Sequence, residues 1–447
     1  MKRALIPGSL LLATLLAQPA PAATPASPVP THWWQGLGSP RLNALVEQAR
    51  KASPDLAAAD ALLRQAQELA RATGGSRFPQ VDAGYQATRA RASGTISPPL
   101  ADPNALLYTL HTAQVTVSYT PDVFGGIGAK VRSARAAATA QAARNQAAHT
   151  TLIANLVQAV VQNAALADQI TATRDTIAAT REILDLTRRR QALGAVGAAD
   201  VAAQETALAT AEGTLPALER AQKHQQGLIA TYLGITPGAA LPPLPTLDEL
   251  SLPPAVPDVV PSQVVAQRPD VRAAAAQMEG AAADVRAALA ARLPSITLSA
   301  SYGGMASKLG EMFASGNPFW ELLGGVSAPI LHAGGLLHQH HAAKAALEAA
   351  QAQYRSTALQ AFADVADSLT ALKTDAEALD AATRGDAASD QSLRFTRRQY
   401  ELGAVGTYTL LPIAAARAQA RATLVQARAA RLNDTVALYQ SLGGAAD

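Results

Sequence analysis

The 447-residue chain contains no cysteine. It can form no disulfide, and it offers no thiol for lipid attachment. Aromatic residues make up only 4% although 49% of residues are hydrophobic, because alanine carries much of the apolar count. That bias favours long helices over a compact aromatic core. Charge is sparse and nearly balanced, 37 Lys and Arg against 34 Asp and Glu, a net of +3. So slight and dispersed an excess supplies no basic face for nucleic acid, which is excluded as a partner. Catalytic signatures are missing too: there is no nucleophile elbow, zinc spacing or paired carboxylate motif. Ser301-Tyr302-Gly303-Gly304 ends a strand pattern with no catalytic context. Gly125–Gly128 and Gly334–Leu337 lack the Lys-Ser/Thr ending of a phosphate loop and the spacing of a dinucleotide site. They read as strand-to-helix corners, and no enzyme activity, cofactor or metal is expected. Beyond the N-terminus, no segment reads as a membrane-spanning helix.

What is present begins with an export signal. Residues 1–22 combine a basic Met1-Lys2-Arg3, an apolar stretch from Ala4 to Ala17, and the small residues Ala20-Pro21-Ala22. The apolar run is short and broken by Pro7 and Gly8, which argues against the alternative of a permanent anchor.

The rest of the chain is written twice. "TRRRQALGAVG" (Thr187–Gly197) returns as "TRRQYELGAVG" (Thr396–Gly406), and the offset between them also links Leu233-Gly234 to Leu442-Gly443. "VSYTPDVFGG" (Val117–Gly126) and "VSAPILHAGG" (Val326–Gly335) keep that offset. Ser53–Pro79 aligns without gaps to Arg268–Pro294, and the first half carries six extra residues between Pro79 and Val117. The expected layout is a first repeat at 23–240, a Pro-rich extended linker at 241–261 and a second repeat at 262–447.

Each repeat reads as helix, strand, strand, long helix, break, helix. Pro54-Asp55 and Pro269-Asp270 open the first helices, with proline in the first turn and an acid near the positive dipole end. Strict alternation then predicts strands at about 80–91, 108–120, 294–302 and 319–328, the last alternating less cleanly. Ser93–Asn104 and Gly303–Pro318 close the hairpins. Two homes fit such strands, a soluble sandwich with one buried face or a membrane barrel with the apolar face outward. Four strands cannot close a barrel, so membrane entry requires several chains to share one. From Gly126 to about Gln191 and from Gly335 to about Gln399 no proline interrupts the helical pattern, which makes rods on the order of 100 Å. The glycines at about 191–200 and 400–409 then reverse the chain, placing the twin motifs at the tips of two helical hairpins.

These segments together resemble the TolC/OprM-like outer-membrane factors, closest to the NodT-type efflux group. The resemblance is carried by "HWWQGLGSPRLNALVEQARKASPDL", "YTPDVFGG", "LGAVGAADVAAQETALA", "YLGITPG", "VPSQVVAQRPDVRAAAAQM", "ARLPSITLSASYG", "QYELGAVGTYTLL" and "LYQSLGG", in order along nearly the whole chain. It implies a homotrimer, with a twelve-stranded outer-membrane β-barrel continued by a twelve-helix periplasmic α-barrel. It implies a passive exit duct for small amphipathic compounds or drugs, closed at its tip until a periplasmic membrane-fusion adaptor and an inner-membrane pump of the RND or another type dock. The resemblance makes Leu193, Gly194, Ala195, Leu402, Gly403 and Ala404 the adaptor contacts, Tyr400 a residue holding the closed tip, and Asp200 the acid just past the first tip. A carboxylate common in the returning helix of the second tip is missing near Pro412, so no ring of pore carboxylates is assigned there. The alternatives are a duct for protein secretion and a periplasmic coiled-coil scaffold without a pore.

Three clusters remain. Arg188, Arg189, Arg190, Arg397 and Arg398 precede the tips, either as an electrostatic dock or gate or as solvated helix ends where cations suit the dipole. His338–His341, with His332 nearby, lacks an acidic neighbour in sequence and is placed at the junction of barrel and tunnel rather than on a metal. Trp33 and Trp34 are expected to pack an N-terminal segment on the body.

Overall fold

The computed structural model describes residues 32–91, 107–252 and 262–444. The signal segment and the whole of the first hairpin loop, Ser93–Asn104, lie outside the described residues, as does the second part of the linker. A short 3-10 turn, Trp33–Leu37, leads into α1 (Pro40–Ala52) and α2 (Pro54–Gly75). Strands β1 (Gln80–Arg91) and β2 (Leu107–Tyr119) follow, then α3 (Gly126–Ala192) and α4 (Ala198–Tyr232). After the linker come α5 (Ser262–Gln267), α6 (Pro269–Ala290), β3 (Ser295–Ala306), β4 (Pro318–Ser327), α7 (Gly335–Glu401) and α8 (Thr407–Ser441).

The strands form one antiparallel sheet in the order β1-β2-β3-β4. The two hairpins are joined by the pairing of β2 with β3, and β1 and β4 are left as edges. Register lines up like with like. Ala83, Val115, Tyr302 and Trp320 form one cross-strand row, and Val81, Val117, Ala300 and Leu322 the next. Between them on the other face runs Asp82, Thr116, Ser301 and Glu321. Val81, Tyr85, Val115, Tyr302, Trp320 and Leu322 are all exposed in the single chain. β3 runs to Ala306 rather than ending near Tyr302, because Gly303 and Gly304 stay paired with Gln114 and Ala113 on one side and Phe319 and Pro318 on the other.

α3 and α7 each span 67 residues, about 100 Å at 1.5 Å per residue. α3 is the spine. It runs between α2 and α6 in the half near the sheet, and between α4 and α8 in the far half. One 18-residue window of α3 is apolar enough for a membrane span, which corrects the expectation that no later segment would be. That window is 72% buried inside the chain, because it carries the core rather than facing lipid. Leu152, Leu156, Val157 and Val160 meet Leu42, Leu45 and Val46 of α1, Leu233 past the end of α4, and Val436 and Leu438 of α8 there. Trp33 and Trp34 are buried in the same core, with Trp33 stacked on Tyr439 at 5.3 Å between ring centres.

Arg268 ties the second repeat together, and nothing in its sequence context marks it as buried. Its guanidinium donates to the carbonyls of Ala361 at 3.3 Å and Ser441 at 3.0 Å, and to the carboxylates of Asp270 at 2.8 Å and Asp364 at 2.9 Å. Thus α6, the middle of α7 and the end of α8 are clamped by one side chain. Burial opposes both charges. The ion pair outweighs it, holding Asp270 below the usual carboxylate range and Arg268 above its ordinary value. Removing one member leaves buried charge and carbonyls without partners. Arg268→Ala should therefore destabilise the helical body by about 3 kcal/mol, read as a lower thermal midpoint by circular dichroism in detergent.

Candidate functional site

The far ends of both hairpins close in the same way. Gly194 and Gly403 adopt left-handed φ values of 72° and 75°. Ala195 N–H donates to the Arg190 carbonyl at 2.8 Å and Gly194 N–H to that of Gln191 at 2.9 Å. In the second tip, Ala404 bonds Gln399 and Gly403 bonds Tyr400, at 2.9 and 3.0 Å. This double bond pattern caps the last carbonyls of each rod and requires a residue that tolerates positive φ. A methyl group on either glycine would meet nothing within 4 Å, so the requirement is backbone alone. Leu193 is 84% exposed and Leu402 68%. With exposed Ala195 and Ala404, each tip therefore presents a bare leucine on a small-residue platform.

Behind the tips the two hairpins are latched to one another. Tyr400 is 1% exposed and packs with Ile183 of α3 and Leu410 of α8. Its hydroxyl lies 2.9 Å from the buried Thr187 hydroxyl. Arg190 stands 4.4 Å from the centre of the Tyr400 ring and donates to the Tyr400 carbonyl at 2.6 Å. Arg397 crosses from α7 to Glu182 of α3 at 2.8 Å. Arg398 instead stays local, 3.4 Å from Glu401. Of the expected site residues, the structure thus brings Tyr400, Arg190 and Arg397 together. It leaves the two Leu-Gly-Ala platforms outside that cluster. Asp200 accepts the Gly197 N–H at 3.1 Å and caps the start of α4, which accounts for an acid at that position.

Above the latch, a crevice of about 700 Å³ separates α4 from α8 over α3. Small residues such as Ala172, Thr176, Ala207, Ala211, Ala414 and Ala418 line it, and Ile183 and Leu410 of the latch close its lower end. α4 and α8 therefore meet chiefly through α3, which packs directly on both, and the latch adds a tie from α7 to α3 at the bottom.

The sequence also held a ladder that pattern reading passed over. Arg174, Arg181 and Arg188 on α3 pair with Glu219, Glu212 and Glu205 on α4 at 2.8, 2.7 and 2.7 Å. The seven-residue spacing on both helices is the mark of an antiparallel coiled coil, and it was visible in the chain. All six side chains are largely exposed, so each pair sets register more than stability. Arg188 belongs to this ladder and not to the latch, and Arg189 forms no ion pair among the described residues. The second hairpin uses a more buried device, Arg417 of α8 held by Asp386 and Asp390 of α7. His338 and His341 touch edge to face with ring centres 6.2 Å apart. Among the described residues no group of three or more His, Asp or Glu converges on a metal position.

With this geometry in view, known proteins can be compared. The sequence model of the outer membrane efflux protein family matches residues 45–235 and again 260–444. The chain belongs to that family. It is 32% identical to the pyoverdine export outer membrane protein OpmQ of Pseudomonas putida, over 95% of this chain and 90% of that protein. It is 27% identical to the toluene efflux pump outer membrane protein TtgC of the same species, over 92% and 84%. The crystal structure of the outer membrane protein VceC of Vibrio cholerae superposes with a TM-score of 0.85 at 25% identity, covering 93% of this chain and 99% of that one. The outer-membrane channel OprN superposes at 0.87 and 26% identity, covering 98% of both. The resemblance read from the motifs is thereby confirmed. This is an outer-membrane efflux component with a long periplasmic portion, in a family of transport channels.

One carboxyl with a raised pKa lies in the helical body of this efflux protein. Burial, and then the neighbouring Asp375 carboxyl on α7, push the Asp434 carboxyl of α8 up to about 6, against the lowering pull of Arg431. A folded pKa above the unfolded one means the folded chain holds the extra proton. Its stabilising contribution is complete at acid pH and is lost as pH rises through about 6. Asp434→Asn, which mimics the protonated form, should raise the thermal midpoint at pH 7.5 and leave it nearly unchanged at pH 4.5; equal shifts at both values would contradict the assignment.

Proposed function

We propose that three copies of this chain close into a twelve-stranded barrel, continued by a tube of twelve helices, and serve as the gated exit duct of an efflux assembly. The observation that carries this reading is the sheet with two open edges and an apolar face whose Val81, Val115, Tyr302, Trp320 and Leu322 stand exposed in the single chain. In lipid, the unpaired backbone groups of β1 and β4 must find partners, and a neighbouring copy supplies them. With four strands per chain and three chains the barrel reaches twelve, within the range of known membrane barrels. At 10 to 13 residues each, the strands span about 30 Å at a 40° tilt.

The duct supplies no energy of its own, and cargo reaches it from an inner-membrane pump, of the RND or a related type, through a periplasmic adaptor. The relatives' export of pyoverdine and efflux of toluene support small, partly apolar cargo. The platforms at Leu193-Gly194-Ala195 and Leu402-Gly403-Ala404 are the adaptor contacts, since they are bare apolar groups on rigidly capped turns. Tyr400, Arg190, Thr187 and Arg397 hold the closed tip. Opening requires the second hairpin to swing from the first, which breaks these bonds together and leaves each coiled coil intact.

Two experiments test the reading. In planar bilayers, the double variant Arg190→Ala, Tyr400→Ala should conduct severalfold more than the parent; unchanged conductance would remove the latch. In cells carrying the cognate pump and adaptor, Gly403→Val should abolish dye export while the assembled protein persists in the outer membrane. Normal export in that variant would sink the tip assignment.

A further inference from the structure

The strands end at Gln80, Tyr119, Ser295 and Ser327 on the periplasmic side, and the residues just beyond them are unlike the rest of the surface. Phe78, Val123, Phe124, Leu293, Ile330 and Leu331 are all exposed there, Ile330 at 92%. Among them stand Arg77, Lys130, Arg132 and Arg292, all exposed. None of the four forms an ion pair among the described residues. Two of these cations converge. A methyl group built on Gly128 would lie 3.8 Å from the Arg132 guanidinium and 3.9 Å from that of Arg77. The nearest carboxylate, Asp122, is engaged by the backbone N–H groups of Ile127, at 2.9 Å, and Gly128. Beside it, a cavity of about 450 Å³ opens between this corner, the end of α6 and the start of α7. Apolar Val123, Phe124, Leu293 and Leu336 line it, with Lys130 and His332.

We infer that this collar binds the phosphate groups of anionic phospholipids in the periplasmic leaflet of the outer membrane, with acyl chains against its apolar residues. Lys130 is the fifth residue of α3, and Arg77 and Arg292 lie three residues before their strands, all within about 10 Å of the sheet's end. That is the depth of the headgroup layer next to a membrane barrel. Unpaired guanidinium and ammonium groups beside exposed aromatic and aliphatic side chains match a phosphate on an acyl stem, where each cation near a charged bilayer surface contributes about a fivefold gain in binding. Neutral cargo would have no use for unpaired charge at this level. A proton-linked role is also unsupported, because His332 is the single imidazole lining the cavity.

The test uses the full-length assembled protein in detergent, mixed with phosphatidylcholine alone, phosphatidylcholine plus phosphatidylglycerol, or inorganic phosphate. Phosphatidylglycerol should be retained preferentially through gel filtration and should raise the thermal midpoint, and free phosphate should do neither. In Arg77→Gln, Lys130→Gln, Arg132→Gln, Arg292→Gln, the preference should fall about fivefold per cation removed, with binding of phosphatidylcholine to the barrel preserved. Equal stabilisation by free phosphate would overturn the proposal. So would an unaltered phosphatidylglycerol preference in the variant, or a change in ion selectivity of the pore without any change in lipid retention. Should the fourfold variant not assemble, the parent decides: its preference must vanish in high salt, and a salt-insensitive preference refutes the collar.

Discussion

Every feature of this molecule is arranged around the backbone of two edge strands. β1 and β4 leave one side of their hydrogen-bonding groups open, on a sheet whose outward face is too apolar for water. In a soluble sandwich that face would be covered by a second sheet or a helix layer, and among the described residues neither lies over it; only the loop at Met312 packs against its far end at Gly304. In lipid the face is satisfied and the edges are not, at several kcal/mol for each unpaired group. On the proposed reading the repair that leaves the strands as they are is lateral pairing with another copy. Closure of the sheet and membrane insertion are thus one requirement, and the helices below inherit whatever symmetry the sheet imposes.

The helical body shows how that inheritance works. α3 and α7 leave the sheet directly, so their spacing at the top is set by the spacing of β2 and β4. α2 and α6 enter β1 and β3 from below, and α4 and α8 take over their places beside α3 in the far half. The N-terminal turn and α1 wrap the level where this exchange occurs, and the largest core forms there. Arg268 clamps the same level in the second repeat. In the first repeat its place is taken by Ser53, a small buried residue that makes no such clamp. A residue this polar is tolerated at the centre of the body because its three nitrogens all find oxygens, spread over α6, α7 and α8.

Much of this was legible from the chain, for identifiable reasons. Period-two alternation located the strands, proline located the helix starts, and Leu-Gly pairs located four helix ends, since all are local rules of backbone geometry. The duplication was legible because repeats need only self-comparison. The pairing of β2 with β3 was not, because it joins segments from different repeats and no local rule specifies it. Arg268 was read as part of a helix-opening motif, and its burial depends on Ala361 and Ser441, far away in sequence. The Arg-Glu ladder could have been found by counting sevens from Arg174 and from Glu205. Tyr400 was placed at the tip by resemblance, but its contacts with Thr187 and Arg190 depend on how two hairpins lean together.

The twin tips make the last point. "TRRRQALGAVG" and "TRRQYELGAVG" differ at only three successive positions, 190–192 in the first and 399–401 in the second. What they share builds the common part, a capped reversal with an exposed leucine. What differs builds the latch: Arg190 has Gln399 as its counterpart, Tyr400 has Gln191, and Glu401 has Ala192. Arg397 shows the same divergence from the partner's side. Its counterpart Arg188 pairs within its own hairpin with Glu205, but the position matching Glu205 in the second hairpin is Ala414. With no acid facing it from α8, Arg397 is shared between Glu401 on its own helix and Glu182 across the gap. A duplication that kept its two tips identical would give a symmetric ring with no reason for one hairpin to hold the other. The few substitutions that broke the identity tether the second hairpin to the first, and on the proposed reading that asymmetry is what lets the tip act as a gate.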